Sequence, residues 1–505
     1  MRARPERLSA HAHRDGFIIE VGRGQLLQGE VQIMKYFLIL RFLRGSYYSN
    51  SYKIKPSIRR LLTSGIAMSN SLGVAPIIKA EPTRGLVDEP VKLEIAHLVP
   101  NHQVTLHSQL LSEDDDRWMA YAHYISDSKG IVRASQDESL GGTYTGQESM
   151  GLIWSMKLAP DNRPAMRLRK KNMTTPLTVT VSVYDGWISS NFDKAVVLAS
   201  VVLERFYMAP GTTRLEFKEG RVVGTLFFPP GPGPFPAILD MWGGGGGLFE
   251  YRAALLASRG YAVLALAYAE HKDVPPSKEV FEPKLSYFEE AFVALNNHPK
   301  VAKGKVALVG LSLGVTIALL MATELTNIQP KCVICISGTH LNIIWNGNAD
   351  VIGDENEAAG KIRFTEDGVM IWKYLSLPFT NVSKYIVPVD KIRCPLMNIC
   401  GEDDQNCPSA ESADEIKKMM KAAGNDHLLT TILYPQTGHL IEPPYSPHFR
   451  ITKFKIRSIN KTVRLLWGGT TKPHADAQED SWKKILAYLE KHLVHEHPAV
   501  IQSNL

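Results

Sequence analysis

The sequence predicts an antiparallel β-sandwich over 76–206, followed over 215–495 by a mostly parallel β-sheet with helices on both faces. Three observations carry this expectation. Before about residue 206, short runs alternate apolar and polar residues, the period of half-buried strands. After about residue 220, apolar strand-like runs alternate with helical stretches, which is most simply satisfied by parallel strands joined through helices. One of those strands, from Lys305, runs through Gly310-Leu311-Ser312-Leu313-Gly314 directly into a helical stretch.

In the first region the alternation is clearest at 91–95, 104–107 and 177–183, with Gly and Pro between the runs. In the second, strands are expected at 222–228, 236–241, 261–267, 305–309, 331–337, 395–400 and 428–434. Several are apolar throughout, as strands covered on both faces are. Helices are expected at 250–259, 285–296, 315–325, 409–423 and 481–493. Residues 339–390 fit neither pattern and are expected to form an insertion over the sheet.

Composition narrows the function classes. Of 505 residues, 44% are hydrophobic and 21% charged, which excludes wholesale disorder and low-complexity architectures. No apolar run approaches the ~18 residues a spanning helix needs, that at 36–40 stopping at Arg41, so no membrane span is expected. Five cysteines, none before Cys332, argue against a disulfide-stapled secreted protein and for a reducing compartment. The net charge of +6 is unevenly placed: residues 1–67 hold 12 Lys/Arg and 4 Asp/Glu, a balance of +8, leaving −2 on the rest. The basicity therefore belongs to this leader and not to a nucleic-acid-binding face. The leader reads either as an organelle transit peptide or as unstructured upstream sequence, with Met68 able to start translation.

The chemistry is concentrated in three places. In the Gly-x-Ser-x-Gly turn, Ser312 is a candidate nucleophile. A turn this tight strains the central residue and needs small residues two before and two after it. The hydroxyl then stands at the carboxyl edge of the sheet beside a helix N-terminus, where the Leu313 N–H can meet a developing oxyanion. A serine hydroxyl needs a base. The strand at 395–400 is followed by Gly401-Glu402-Asp403-Asp404, and the next strand by Gly438-His439. His439 can take the serine proton, and Asp404 or Asp403 can hold its other ring nitrogen. A second oxyanion donor is expected from the five glycines after the strand at 236–241, from Gly243 or Gly244. Cys332 and Cys335 have C-x-x-C spacing inside an apolar run with no second pair, and read as core cysteines. No metal site and no cofactor are expected.

These residues, with several longer stretches, resemble one family: the acyl-CoA thioesterases and bile acid-CoA:amino acid N-acyltransferases. The likeness covers about 76–495 and is carried by Gly141-Gly-Thr-Tyr144, Met150-Gly-Leu-Ile-Trp154, Tyr287-Phe-Glu-Glu-Ala291, Gly401-Glu-Asp-Asp404, Gly438-His-Leu-Ile-Glu-Pro-Pro-Tyr445, and Leu466-Trp-Gly-Gly469 with His474 and Trp482. It implies an N-terminal β-sandwich and a C-terminal α/β-hydrolase domain. It also implies a triad of Ser312, Asp404 and His439, the fourth position of the acidic stretch selecting Asp404. The implied substrate is acyl-CoA, with glycine or taurine as a possible acceptor. Two departures stand out. Ser312 occupies the place where the bile acid transferase has Cys, as in the thioesterases. Leu313 stands where thioesterases commonly have Lys, and is similar to serine-bearing fatty-acid N-acyltransferase relatives. Region 339–390 diverges most, so acyl specificity does not carry over.

The expected activity is hydrolysis of fatty acyl-CoA to free acid and CoA through a serine acyl-enzyme, with amino acid N-acylation as the alternative. A general carboxylesterase or peptidase with the same triad, and a non-catalytic binding protein, are the remaining classes. The chain ends Ser503-Asn504-Leu505, similar to the peroxisomal Ser-Lys-Leu signal but without its basic residue. The leader points instead to mitochondria if it is translated, and a start at Met68 to cytoplasm or peroxisome.

Overall fold

The structure, a computed structural model, describes residues 74–244, 247–268, 271–274, 284–342, 361–456 and 461–494. The expectations for the leader at 1–67, the tail at 496–505 and the 343–360 part of the expected insertion fall outside them.

Nine strands open the described chain: β1 (Ile77–Glu81), β2 (Arg84–Leu86), β3 (Lys92–Ala96), β4 (Gln103–Leu111), β5 (Arg117–Ile125), β6 (Val132–Arg133), β7 (Lys157–Leu158), β8 (Leu177–Asp185) and β9 (Val197–Phe206). They form a six-stranded sheet in the order β2-β9-β8-β4-β5-β7 and a three-stranded sheet β1-β3-β6, antiparallel throughout except where β2 lies parallel to β9. The alternation seen in the sequence places Ile95, Val104, Leu106, Val181, Val183 and Leu203 in one core. A short helix α1 (Gly151–Trp154) packs beneath Tyr144, and a Cβ on Gly151 would stand 2.4 Å from that ring.

The main sheet has eight strands in the order β10-β11-β13-β12-β14-β15-β18-β19. Its members are β10 (Thr213–Glu219), β11 (Val222–Phe228), β12 (Phe235–Met241), β13 (Ala262–Ala267), β14 (Val301–Leu311), β15 (Val333–Ile336), β18 (Leu396–Gly401) and β19 (Leu429–Tyr434). β13 to β19 are parallel, and β10 and β11 add an antiparallel edge. Two helices cover one face, α2 (Tyr251–Ser258) and α6 (Thr471–Leu489). Three cover the other, α3 (Leu285–Asn297), α4 (Leu313–Glu324) and α5 (Ser409–Ala422). Between two such layers β13 and β18 are buried along their whole length and β12 from Ala237 onward, which is why they read as apolar runs.

The connectivity matters for the site. From β12 the chain moves outward to β13, then returns past β12 to β14 and continues to the other edge. The sheet order therefore reverses between β12 and β14, and beyond the carboxyl ends of strands at such a reversal is where open α/β sheets take their ligands. The glycine loop follows β12 and Ser312 follows β14.

No strand was expected at β10 (Thr213–Glu219), and three further places differ from expectation. α6 begins at Thr471, ten residues earlier than the expected 481. Its first half is polar and carries Pro473 in the first turn, where proline is tolerated, so periodicity alone missed it. A four-stranded sheet, β16 (Arg363–Phe364), β17 (Met370–Ile371), β21 (Lys461–Leu466) and β20 (Ile451–Ile456), was not expected. Its long pair places Lys453, Lys455 and Arg464 among apolar neighbours, a weak signal in isolation. Within the described part of 339–390 only β16, β17 and three short 3-10 turns form.

The sandwich core also continues into the second half of the chain. Leu440, Tyr445, Phe449, Leu465 and Trp467 belong to the same apolar cluster as Leu106 and Trp118, and the Phe449 ring meets Trp118 edge-on at 5.7 Å. The stretch that follows His439 is thereby packed against the sandwich. Cys332 and Cys335 are free and buried in β15 and its approach, and burial pushes both thiols up. Among the described residues no helix is long and apolar enough to cross a membrane, and no group of His, Cys, Asp and Glu could hold a metal ion.

Candidate active site

Ser312 sits at the corner between β14 and α4 with φ 58° and ψ −118°, a conformation that costs a non-glycine residue of order 1–3 kcal/mol. The corner is held by hydrogen bonds from the Ser312 N–H to the Ile336 carbonyl (3.0 Å) and from the Val315 N–H to the Ser312 carbonyl (2.9 Å). The two flanking glycines are required by close approach. A Cβ on Gly310 would lie 2.2 Å from the Gly314 carbonyl oxygen, and one on Gly314 would lie 2.4 Å from that of Met241. Ser312 is half-buried, while Leu313 is buried in the sheet's helical layer.

The glycine loop lies against this corner. A Cβ on Gly243 would stand 3.0 Å from the Ser312 Cβ and 3.3 Å from its Oγ, so a side chain there would crowd the serine. The root of the loop is fixed by a buried ion pair. Arg252 of α2 donates Nε–H to Asp240 (2.8 Å) and an Nη2–H to the Met241 carbonyl (3.0 Å), and its guanidinium lies over the Trp242 ring at 4.4 Å. Trp242 in turn donates its indole N–H to Asp240 (3.2 Å). Burial raises the Asp240 carboxyl, and Arg252 works against that rise. Arg252→Met is expected to leave this carboxylate without its partner and to destabilise the fold by about 3–5 kcal/mol. The urea midpoint checks this, and an unchanged midpoint would contradict it.

Asp404 follows β18 and is 1% exposed. Its Oδ1 accepts the backbone N–H groups of Asn406 and Cys407, each at 2.9 Å. Its Oδ2 accepts the Ser409 hydroxyl (2.8 Å) and faces Nδ1 of His439 at 2.9 Å. The carboxylate is thus fully hydrogen-bonded before it meets the imidazole. With Nδ1 donating to Asp404, Nε2 is the ring nitrogen that carries the lone pair. His439 is likewise 1% exposed; its N–H is held by the Trp467 carbonyl (2.9 Å), and its ring stacks on the Trp467 indole at 5.4 Å.

The choice between the two adjacent acids is visible here. Asp403 points away: it accepts the Gly469 N–H (2.8 Å) and the Gln405 carboxamide (2.6 Å), and meets Arg450 at 3.4 Å. It ties the loop to its neighbour, and Asp404 alone faces His439.

One contact connects the acid loop to the elbow. Cys407, whose N–H is bound by Asp404, also lies with its thiol beside the Ser312 side chain. Ser312, Asp404 and His439, far apart in sequence, thus belong to one cluster with the glycine loop at its side. Burial, and then the nearby Asp404 charge, push the Cys407 thiol well up, so it stays protonated beside the serine. The role of Cys407 was missed in the sequence, as was that of Trp467, which stood there only within a stretch of family resemblance. Nothing in composition or spacing separates them from ordinary loop residues, because their roles exist only in the folded contact.

A family model described as "Acyl-CoA thioester hydrolase/BAAT N-terminal region" matches residues 88–219. Another, described as "BAAT / Acyl-CoA thioester hydrolase C terminal", matches residues 284–495. Acyl-coenzyme A thioesterase 3 of Mus musculus is 38% identical over 429 residues, 83% of this chain and 95% of its own length. Bile acid-CoA:amino acid N-acyltransferase of Homo sapiens is 38% identical over 424 residues, covering 83% and 98%. Peroxisomal succinyl-coenzyme A thioesterase of Mus musculus is 36% identical over 446 residues, covering 84% and 98%. At this identity and coverage, the chain belongs to the acyl-CoA thioester hydrolase and bile acid-CoA:amino acid N-acyltransferase family.

Proposed function

We propose that the protein hydrolyses fatty acyl-CoA to the free acid and CoA through an acyl-enzyme on Ser312. The observation that carries this is the cluster itself: a strained serine at the switch point, a buried His439–Asp404 pair linked to it through Cys407, and bare glycine backbone against the hydroxyl.

In this reading the Ser312 Oγ attacks the thioester carbonyl carbon while its proton passes to Nε2 of His439. Asp404 stabilises the imidazolium that forms. Negative charge develops on the carbonyl oxygen and is met by the N–H groups of Leu313 and of Gly243 or Gly244. The carbon–sulfur bond then breaks. CoA leaves as a thiolate, which needs little help from an acid and then takes the proton from the His439 imidazolium; the ring is neutral again, and the acyl group remains as an oxygen ester on Ser312. A water molecule, deprotonated by His439, attacks this ester; the acid departs and the proton returns to Ser312. No metal or cofactor enters any step.

Glycine or taurine attacking the same ester would give an amide, the reaction named for the human relative. Leu313 in the position after the nucleophile favours that alternative. The nucleophile itself favours hydrolysis, because an oxygen ester on Ser312 is a weaker acyl donor to amines than a thioester on cysteine. The purified protein is therefore expected to release CoA from a long-chain acyl-CoA such as palmitoyl-CoA with no amino acid present. Mass spectrometry of the products with glycine and taurine added decides between the two fates, and a predominant amide would overturn the hydrolase reading.

A further inference from the structure

The loop that carries His439 is held on one side by the stretch after β21. His439 donates its N–H to the Trp467 carbonyl, and Gly438 lies so close to Gly468 that a Cβ there would be 2.4 Å from the Gly468 carbonyl oxygen. On the other side a single imidazole touches the loop twice. His474, in the first turn of α6, accepts the Gly438 N–H at 3.1 Å through Nδ1 and donates to the Leu440 carbonyl at 2.8 Å through Nε2. Gly438 and Leu440 are the residues immediately before and after His439.

The partners dictate the protonation state. A backbone N–H can only donate, so Nδ1 must be an acceptor; a carbonyl can only accept, so Nε2 must carry the proton. Only the neutral ring with its proton on Nε2 satisfies both. An imidazolium would set two N–H donors against each other at Gly438. Burial first, then the neighbouring His448 ring, centred 4.5 Å away, and His439 together lower the His474 pKa to about 3, so the ring stays neutral. Its own anchor is firm: the ring is 1% exposed, and the His474 N–H bonds the Thr470 carbonyl (3.0 Å) at the start of a 19-residue helix.

We propose that His474 is a positioning residue: by bonding the peptides on both sides of His439, it sets where the catalytic imidazole stands. This rests on the reading of His439 as the general base. His474 acts on the reaction only through the backbone of 438–440, so its loss misplaces the base without touching the substrate. A displacement of this kind can cost up to about 10²-fold in rate. A residue that merely fills the core would be replaced by any side chain of similar volume. A positioning residue is replaced only by one that both accepts and donates. Glutamine does so: its carboxamide presents an acceptor and a donor at nearly the spacing of the two ring nitrogens.

The test compares wild type, His474→Gln and His474→Met. It measures kcat and KM on palmitoyl-CoA, the rate at which a fluorophosphonate labels Ser312, and the thermal midpoint. His474→Met is expected to lower kcat and the labelling rate about 10- to 100-fold with KM within about twofold, and His474→Gln to recover most of that loss. Should the Met variant fail to fold, His474→Asn replaces it, because its shorter carboxamide reaches only one of the two peptides. Wild-type kcat in a folded Met or Asn variant, or a folded Gln variant as impaired as Met, overturns the proposal. Absence of Ser312 labelling in the wild type overturns the catalytic reading instead, and this one with it.

Discussion

Replacing Ser312 by alanine is expected to lower CoA release from acyl-CoA by roughly 10⁴- to 10⁶-fold in a protein that still folds. Alanine keeps the Cβ that already tolerates φ 58°, so the strain of the corner is unchanged. Only Oγ is removed, and with it the hydroxyl's contact with Cys407. Substrate binding is largely preserved, so the loss falls on kcat. The measurement is thiol release followed with a disulfide dye, alongside a melting curve. Retained turnover would mean another nucleophile. Cys407 is the obvious substitute, but burial keeps its thiol protonated, and a thiol is far less nucleophilic than a thiolate.

Asp404→Asn is expected to lower kcat about 10⁴-fold with little change in KM. The reason lies in the donors around the carboxylate. Oδ1 receives two backbone N–H groups, from Asn406 and Cys407, so the oxygen of an introduced carboxamide must take that place. Its NH₂ is then forced into the place of Oδ2, against Ser409 and His439 Nδ1. Facing a donor, Nδ1 must become an acceptor, and the ring proton moves to Nε2. The imidazole then presents a proton to Ser312 where it needs a lone pair. The variant keeps its shape and its fold but holds the wrong tautomer. Asp403→Asn, one residue away, is expected to leave kcat within a few fold, because Asp403 faces Gly469, Gln405 and Arg450 instead. Measured kcat for the two variants side by side checks the assignment, and equal losses would contradict it.

The difference between these two acids marks the limit of what the sequence could tell. Two adjacent carboxylates after one strand are equivalent in spacing; family resemblance favoured Asp404, and the geometry separates them through backbone donors two and three residues on. The parallel strands were legible for a simple reason. Strands such as Ala262–Ala267 are buried on both faces and carry no polar residue, so no register argument is needed. The elbow was legible because close packing demands glycine at both 310 and 314. The pair β20 and β21 was not, since alternating lysines within six-residue runs resemble any exposed loop until Leu465 and Trp467 are seen packing on the sandwich. The start of α6 was missed because its buried face is built from His474, Ala475, Ala477 and Gln478, residues with no apolar period. Contacts such as Cys407 with Ser312, or Trp467 beneath His439, join segments distant in the chain and leave no local trace.

The account stands on Ser312 being an activated nucleophile served by the His439–Asp404 pair. The most direct measurement is peptide mapping by mass spectrometry after brief treatment with a fluorophosphonate, on wild type and on Asp404→Asn. The expected result is a single phosphonyl adduct on the peptide that holds Ser312, formed orders of magnitude more slowly in the variant. An adduct on another residue, no adduct at all, or equal labelling of both proteins would contradict it.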